Sequence, residues 1–317
     1  MKFAILGHLI NEKHLDILPK EWIHENLIIS HEFNFNETNG YILGLLLTAE
    51  QMMNYPKETV RQKILDAVLF AQNEFDVEII QLGALTTSIT SGGRWLAEQK
   101  RYTGFINHGD SYTAAVTCQV VQKALNLFGK KSSESNLAII GAYGIIGEAV
   151  SKILVPKFKH SILIGRRKEK FEELIAKLKG NFETTIDLKT KNADIVITAT
   201  SHPTALLEPN HIKENAIVVD VSQPPNLSQE VCQIRPDICR VDGGYVDYPN
   251  KYSFSIPGMP AGKCYSCMAE VIMQAMDKQY ESHIGTIDME YLQRTERWGE
   301  KYGFKLNEIT NFGNKVI

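Results

Sequence analysis

Apolar positions along this chain follow two rhythms. Short, nearly continuous apolar runs occupy 137–140, 161–165, 193–200 and 216–221, and between them the spacing loosens to every third or fourth residue. The continuous runs predict strands of a parallel sheet covered on both faces, and the looser spacing predicts helices. Helices are predicted over 148–157, with Ala149, Ile153 and Leu154 on one face, and over 168–179, with Phe171, Leu174, Ile175 and Leu178 on one side. A further short strand is expected at 239–241. Strands alternating with helices predict an α/β fold, a Rossmann-like doubly wound parallel sheet. The first 115 residues repeat the alternation. Strands are expected at 3–6, 26–30, 41–47 and 77–82, and a helix over 57–75 carries Val60, Ile64, Val68, Ala71 and Phe75 as one stripe. Polar loops follow at 83–93 and 107–112, and a helix over 113–128 buries Cys118, Val121, Leu125 and Phe128.

The run at 137–140 leads directly into Gly141, Ala142, Tyr143, Gly144, Ile145, Ile146 and Gly147. Three glycines at three-residue spacing between a strand and a helix have the form of a phosphate-cradling turn. Gly141 makes the turn, Gly144 admits a pyrophosphate to the backbone, and Gly147 lets the helix lie close on its strand. The helix N-terminus then offers N–H groups to the anion. Arg166 and Arg167 follow the second strand, where an NAD site carries an acidic residue for the ribose 2′-hydroxyl. Arginine there suits a 2′-phosphate, so NADP(H) is the expected cofactor. Thr200, Ser201, Ser222 and Gly243 end later strands, on the side where such sheets bind ligands.

Composition narrows the classes. Among 317 residues, 34 basic side chains balance 37 acidic ones to a net charge of −3, so no basic field for nucleic acid exists. The longest apolar run, 41–47, is too short to span a bilayer, and the opening residues read as a strand rather than a signal peptide. Five cysteines without a secretory signal point to reduced thiols in a cytoplasmic protein. The nearest thing to a linker is 129–136.

Residues 255–267 form a Pro/Gly-rich loop that hands over to a helix expected over 263–280. Cys267 lies near its start, where the helix dipole lowers a thiol pKa, and Lys263 lies one turn away. Spacing alone leaves three other readings open. Cys264, Cys267, Val271 and Ala275 fit the buried stripe of an ordinary helix. Cys232, Cys239, Cys264 and Cys267 supply four thiols, though with poor spacing for a metal. Cys264 and Cys267 also form a Cys-x-x-Cys pair.

In chain order the sequence carries Ile-Leu-Gly-His-Leu at 5–9, Leu-Gly-Ala-Leu-Thr-Thr-Ser-Ile at 82–89 and Gly-Asp-Ser-Tyr-Thr-Ala at 109–114. The glycine turn, Asp-Gly-Gly at 242–244 and Cys-Met-Ala-Glu at 267–270 follow. With these motifs the chain resembles, over nearly its whole length, the cyanobacterial long-chain acyl-[acyl-carrier-protein] reductases, which make fatty aldehydes with NADPH. The resemblance implies that Cys267 is an acylated nucleophile. It also implies an N-terminal α/β substrate domain (1–128), an NADP-binding Rossmann domain (129–262) and a C-terminal helical segment carrying the cysteine (263–317). The expected reaction is reduction of an acyl thioester, carried on acyl carrier protein or coenzyme A, to an aldehyde. His108 is the candidate general acid, and loops 86–88 and 108–113 are candidate oxyanion donors. Asp110 and Tyr112 depart from the Asn and His that the family tends to carry, and 257–261 departs from its lead-in. Two rivals remain: an NADP-dependent oxidoreductase acting on a hydroxy acid or imine without a covalent step, and a nucleotide-binding sensor or scaffold without turnover.

Overall fold

The two rhythms resolve into two six-stranded sheets, one mixed and one wholly parallel. A computed structural model describes residues 1–36 and 38–316. The chain divides into two compact units, Met1–Tyr112 with Val246–Lys305, and Thr113–Tyr245 with Leu306–Ile317. This division differs from the expected one. Residues 246–262, expected in the Rossmann domain, and 263–305, expected in a separate helical segment, join the N-terminal unit, and 306–317 return to the second unit.

The first unit contains β1 (Phe3–Leu9), β2 (Leu27–Ile29), β3 (Phe33–Phe35), β4 (Thr38–Thr48), β5 (Ile79–Leu82) and β6 (Phe105–Asn107). Their order is β2-β4-β1-β5-β6, with β3 also on β4. Strands β4, β1, β5 and β6 run parallel, and β2 and β3 pair antiparallel with β4. Side chains alternate across a sheet. Ala4, Leu6, Ile80 and Leu82 therefore share one core with Val60, Ile64 and Val68 of the helix Lys57–Phe75. Phe3, Ile5, Ile79 and Gln81 point to the opposite face, and the helix Ser266–Met276 packs across β1, β4 and β5. That helix is buried from Ala269 through Ala275, as a helix apolar on nearly all sides must be.

The second unit contains β7 (Asn136–Ile140), β8 (His160–Ile164), β9 (Phe182–Thr185), β10 (Ile195–Thr198), β11 (Ile217–Asp220) and β12 (Cys239–Asp242). All neighbours are parallel, in the order β9-β8-β7-β10-β11-β12. This is the doubly wound order of a dinucleotide-binding sheet. The α/β class and the Rossmann-like parallel sheet are thus observed. The helix expected over 168–179 is confined to Phe171–Ile175. The helix expected from 113 already starts at Asp110, and of its expected buried residues Phe128 is exposed and Cys118 half-buried. Among the described residues no helix is long and apolar enough to cross a membrane.

Buried charge closes the second unit. The Arg240 guanidinium lies between Asp220 (3.3 Å) and Asp242 (2.7 Å) and stacks on Phe312. Asp242 in turn accepts hydrogen bonds from the Thr310 hydroxyl and the Gly313 N–H, which ties 310–315 to the sheet. Breaking one partner of such a buried pair costs about 3–5 kcal/mol.

Candidate functional site

Both units carry candidate site residues. In the second, β7 runs into the glycine turn and the helix Ile145–Leu154. Gly141 adopts φ +87°, and a Cβ on it would collide with the Ala199 carbonyl at the end of β10. A Cβ on Gly147 would strike the Gly141 carbonyl, so this position is the close helix-to-strand contact. At Gly144 a Cβ would lie 3.1 Å from the Gly141 oxygen and would narrow the turn. No side chain caps the helix at its start, so its first-turn N–H groups are without a side-chain cap. A dinucleotide pyrophosphate fits this cradle.

Arg166 and Arg167 are both exposed just past β8. The Tyr143 hydroxyl accepts the Arg167 N–H at 2.8 Å, its ring faces the Arg167 guanidinium at 5.9 Å, and a Cβ on Gly165 would collide with that ring. Thr200 and Ser222 have structural work to do. The Thr200 hydroxyl donates to Asn226 Oδ1 (2.6 Å), as does the Ser222 hydroxyl (3.0 Å), and Ser222 Oγ accepts the Thr200 N–H. Ser201 lies half-buried beside them. The Gly243 carbonyl accepts the Thr117 hydroxyl, and a Cβ there would lie 2.6 Å from the Val221 side chain.

In the first unit, three sequence motifs meet at the carboxyl ends of parallel strands. Near the end of β1, half-buried His8 accepts the Leu85 N–H on Nε2 and donates from Nδ1 to the Leu9 carbonyl. After β5, Ala84 adopts φ +51°, a strained position for alanine that starts the short helix Leu85–Ile89. The Thr86 and Thr87 hydroxyls donate to the Gly83 and Leu82 carbonyls, so these two candidate oxyanion donors instead brace the main chain. After β6 come Asn107, His108, Gly109 and Asp110.

Cys267 sits half-buried against this last loop, second in the helix Ser266–Met276. Gly109, at φ +72°, presses its backbone so close that a Cβ on it would lie 2.5 Å from Cys267 Cβ. The thiol is not activated as the sequence suggested. Burial, with the Asp110 and Glu270 carboxylates adding to it, pushes the thiol up to about 12. Lys263, expected to help, is bound to Asp247 at 2.5 Å. His108 is also buried, and burial together with His283 lowers its pKa to about 3. Its Nδ1 accepts the Asp110 N–H at 3.0 Å, so the neutral ring carries its proton on Nε2. The ring is a hydrogen-bond donor; an imidazolium acid would need a much higher pKa.

Sequence reasoning missed the polar layer beneath Cys267. Glu270, one turn on, is fully buried, and its Oε2 accepts the Tyr112 N–H at 2.6 Å, in the first turn of the helix Asp110–Leu127. Its Oε1 and the neighbouring Ser111 hydroxyl are buried without hydrogen-bond partners. Burial pushes the Glu270 carboxyl up to about 7 against the downward pull of nearby donors, foremost the Tyr112 N–H. Burial and Glu270 together raise Asp110 well above the usual carboxylate range. Asn107 donates to Gln274 (2.6 Å) and to the Tyr291 hydroxyl (3.1 Å) and accepts the Gly109 N–H, which fixes the loop. The available signal was Glu270 and Gln274 as polar residues inside an otherwise apolar helix.

Residues 122–242 match the shikimate / quinate 5-dehydrogenase family. The chain is 24% identical over 268 residues to the long-chain acyl-[acyl-carrier-protein] reductase of Synechococcus elongatus, covering 78% of this chain and 76% of that protein. It is 21% identical over 254 residues to the aminotransferase PigE of a Serratia species, covering 77% of this chain but 30% of that one. A glutamyl-tRNA reductase of Christiangramia forsetii is 30% identical over 135 residues, 41% of this chain and 31% of its own length. The resemblance seen in the sequence is thus found again as a distant similarity. The coarse reading these similarities support is an oxidoreductase with an NAD(P)-type Rossmann unit.

Proposed function

We propose that this protein is an NADPH-dependent acyl-thioester reductase that forms an aldehyde through an acyl group on Cys267. The observation that carries the reading is the seat of Cys267: a half-buried cysteine at a helix start, packed against the side-chain-free Gly109 that follows His108. Similarity to an acyl-[acyl-carrier-protein] reductase on both sides of the glycine turn supports the substrate class, an acyl group on acyl carrier protein or coenzyme A.

NADP(H) is held by the first-turn N–H groups after Gly141, Gly144 and Gly147, with Arg166 and Arg167 reserved for the 2′-phosphate. When bound, it supplies a hydride to the acyl carbon. Cys267 attacks the thioester carbonyl and the carrier thiol departs. The developing oxyanion needs donors, and His108 Nε2–H is the one whose protonation does not change across the working pH range. A lowered pKa favours His108 as an oxyanion donor over a general acid in this reading.

The test uses decanoyl-coenzyme A with a labelled acyl group. Wild-type protein is expected to gain one acyl mass on the peptide bearing Cys267 and to release it as decanal when NADPH is added. Cys267→Ser should lose the adduct and keep NADPH binding. Full thioester reduction by that variant overturns the reading.

A further inference from the structure

The thiol proton has no conventional base to go to. His108, the imidazole next to Gly109, has its Nδ1 lone pair occupied by the Asp110 N–H, so the ring offers hydrogen and takes none. Lys263 is held by Asp247. The charged groups that act on the sulfur from the adjoining segments are the Asp110 and Glu270 carboxyls. Asp110 directly follows Gly109, whose backbone abuts Cys267, and Glu270 stands three residues after Cys267 on its own helix, where positions i and i+3 are neighbours. Other titratable groups around the loop are Cys264, His283 and Tyr291.

Glu270 is anchored by an N–H of the first helical turn while its other oxygen and the Ser111 hydroxyl stay unpartnered. Buried polar atoms without partners are uncommon and call for an explanation, and these two lie on the helix turn of Cys267 and on the segment packed against it. We propose that Asp110 is the proton acceptor for Cys267 during acyl transfer, with Glu270 as the positioning residue behind it. This rests on the acyl-transfer reading above. As the Cys267 sulfur bonds to the acyl carbon, its S–H bond breaks and the proton passes to the Asp110 carboxylate. The oxyanion then collapses, the thioester C–S bond breaks, and the departing carrier sulfur takes that proton from Asp110. The site returns to its starting charge, and no oxidant or reductant is consumed. The raised affinity of both carboxyls for protons and the high pKa of the thiol agree with this, because a standing thiolate is scarce and must be made at the moment of attack.

Two readouts of opposite sign test it. In Asp110→Asn, iodoacetamide alkylation of Cys267 at pH 8 should speed up about tenfold, since one neighbouring negative charge is gone. Acyl transfer from decanoyl-coenzyme A should instead fall by roughly 10²–10⁴-fold, the usual worth of a positioned base. Melting temperature is followed in parallel, because an unfolded chain also alkylates faster. Asp110→Glu, which keeps a carboxylate, should recover part of the acyl transfer and decides the case if the Asn variant does not fold. Glu270→Gln should move the acidic limb of the acyl-transfer pH profile downward, a shift that a purely structural role does not produce. Equal slowing of both reactions in Asp110→Asn, or acyl transfer at the wild-type rate, overturns the base assignment alone. Failure of wild-type Cys267 to take the acyl group, with normal alkylation, overturns the acyl-transfer reading and the base role with it.

Discussion

Replacing Gly109 by alanine isolates the contact on which the cysteine site is built. The new Cβ would lie 2.5 Å from Cys267 Cβ, 2.8 Å from its Cα and 3.0 Å from its carbonyl oxygen. Carbon atoms in contact settle at about 3.5–4.0 Å, so the loop and the helix start must separate by roughly 1 Å. The backbone adds its own cost: φ is +72°, a left-handed conformation that disfavours a Cβ by about 1–2 kcal/mol. Overpacking of a filled site contributes a further 1–3 kcal/mol or so. The combined loss, about 2–5 kcal/mol, corresponds to a drop in melting temperature on the order of 10 °C for a unit of this size. Surviving folded protein should transfer acyl groups roughly 100-fold more slowly, because a displacement of about 1 Å at a reacting centre costs that much. Thermal melting by circular dichroism and quenched-flow mass spectrometry read the two effects separately. A Gly109→Ala protein with the melting temperature and acyl-transfer rate of wild type would refute the account of this site.

Two other outcomes follow from the geometry. Arg166→Ala should weaken NADPH by about 10–100-fold, the value of one or two charge-assisted hydrogen bonds, and leave NADH nearly unchanged in fluorescence titrations; equal loss for both removes the 2′-phosphate assignment. Glu270, raised from 4.5 to about 7 in the folded state, makes the fold bind more protons than the unfolded chain between those values. Stability should therefore decline by up to about 3 kcal/mol as pH rises from 4.5 to 7 and change little from this source above it. Urea melts of wild type and Glu270→Gln check this, and a variant with the same slope as wild type in that window contradicts it.

Strands β7, β8, β10 and β11 were legible because each is a run rich in β-branched and aliphatic residues bounded by breaks, and the glycine turn marks its own position. Strands β3, β6 and β9 were not. They have three or four residues, and Asn34, Asn107, Glu183 and Thr184 interrupt any apolar run. Their backbones are ordered by a neighbouring strand more than by their own propensity. The Cys267 neighbourhood divides the same way. The cysteine and the polar loop stood out by type and spacing. Glu270 and Gln274 were not singled out, nor the partners of Asn107 foreseen, because the groups they meet are far off in sequence: Asn107 to Gln274 spans 167 residues. Lys263 misled for the converse reason. Nearness in sequence placed it beside the thiol, and Asp247 holds it. The return of 246–305 to the first unit carries no local signal, since it is decided by which sheet face lacks a covering helix.

That return sets an order of assembly. On the ribosome the first 112 residues emerge with one face of their sheet bare, because the helix that covers it starts at Ser266. Everything needed for the nucleotide sheet, through Asp242, is synthesised in the interval. The nascent N-terminal half must therefore wait through the making of an entire sheet, its apolar face open to chaperones, before Glu270 arrives to meet the Tyr112 amide.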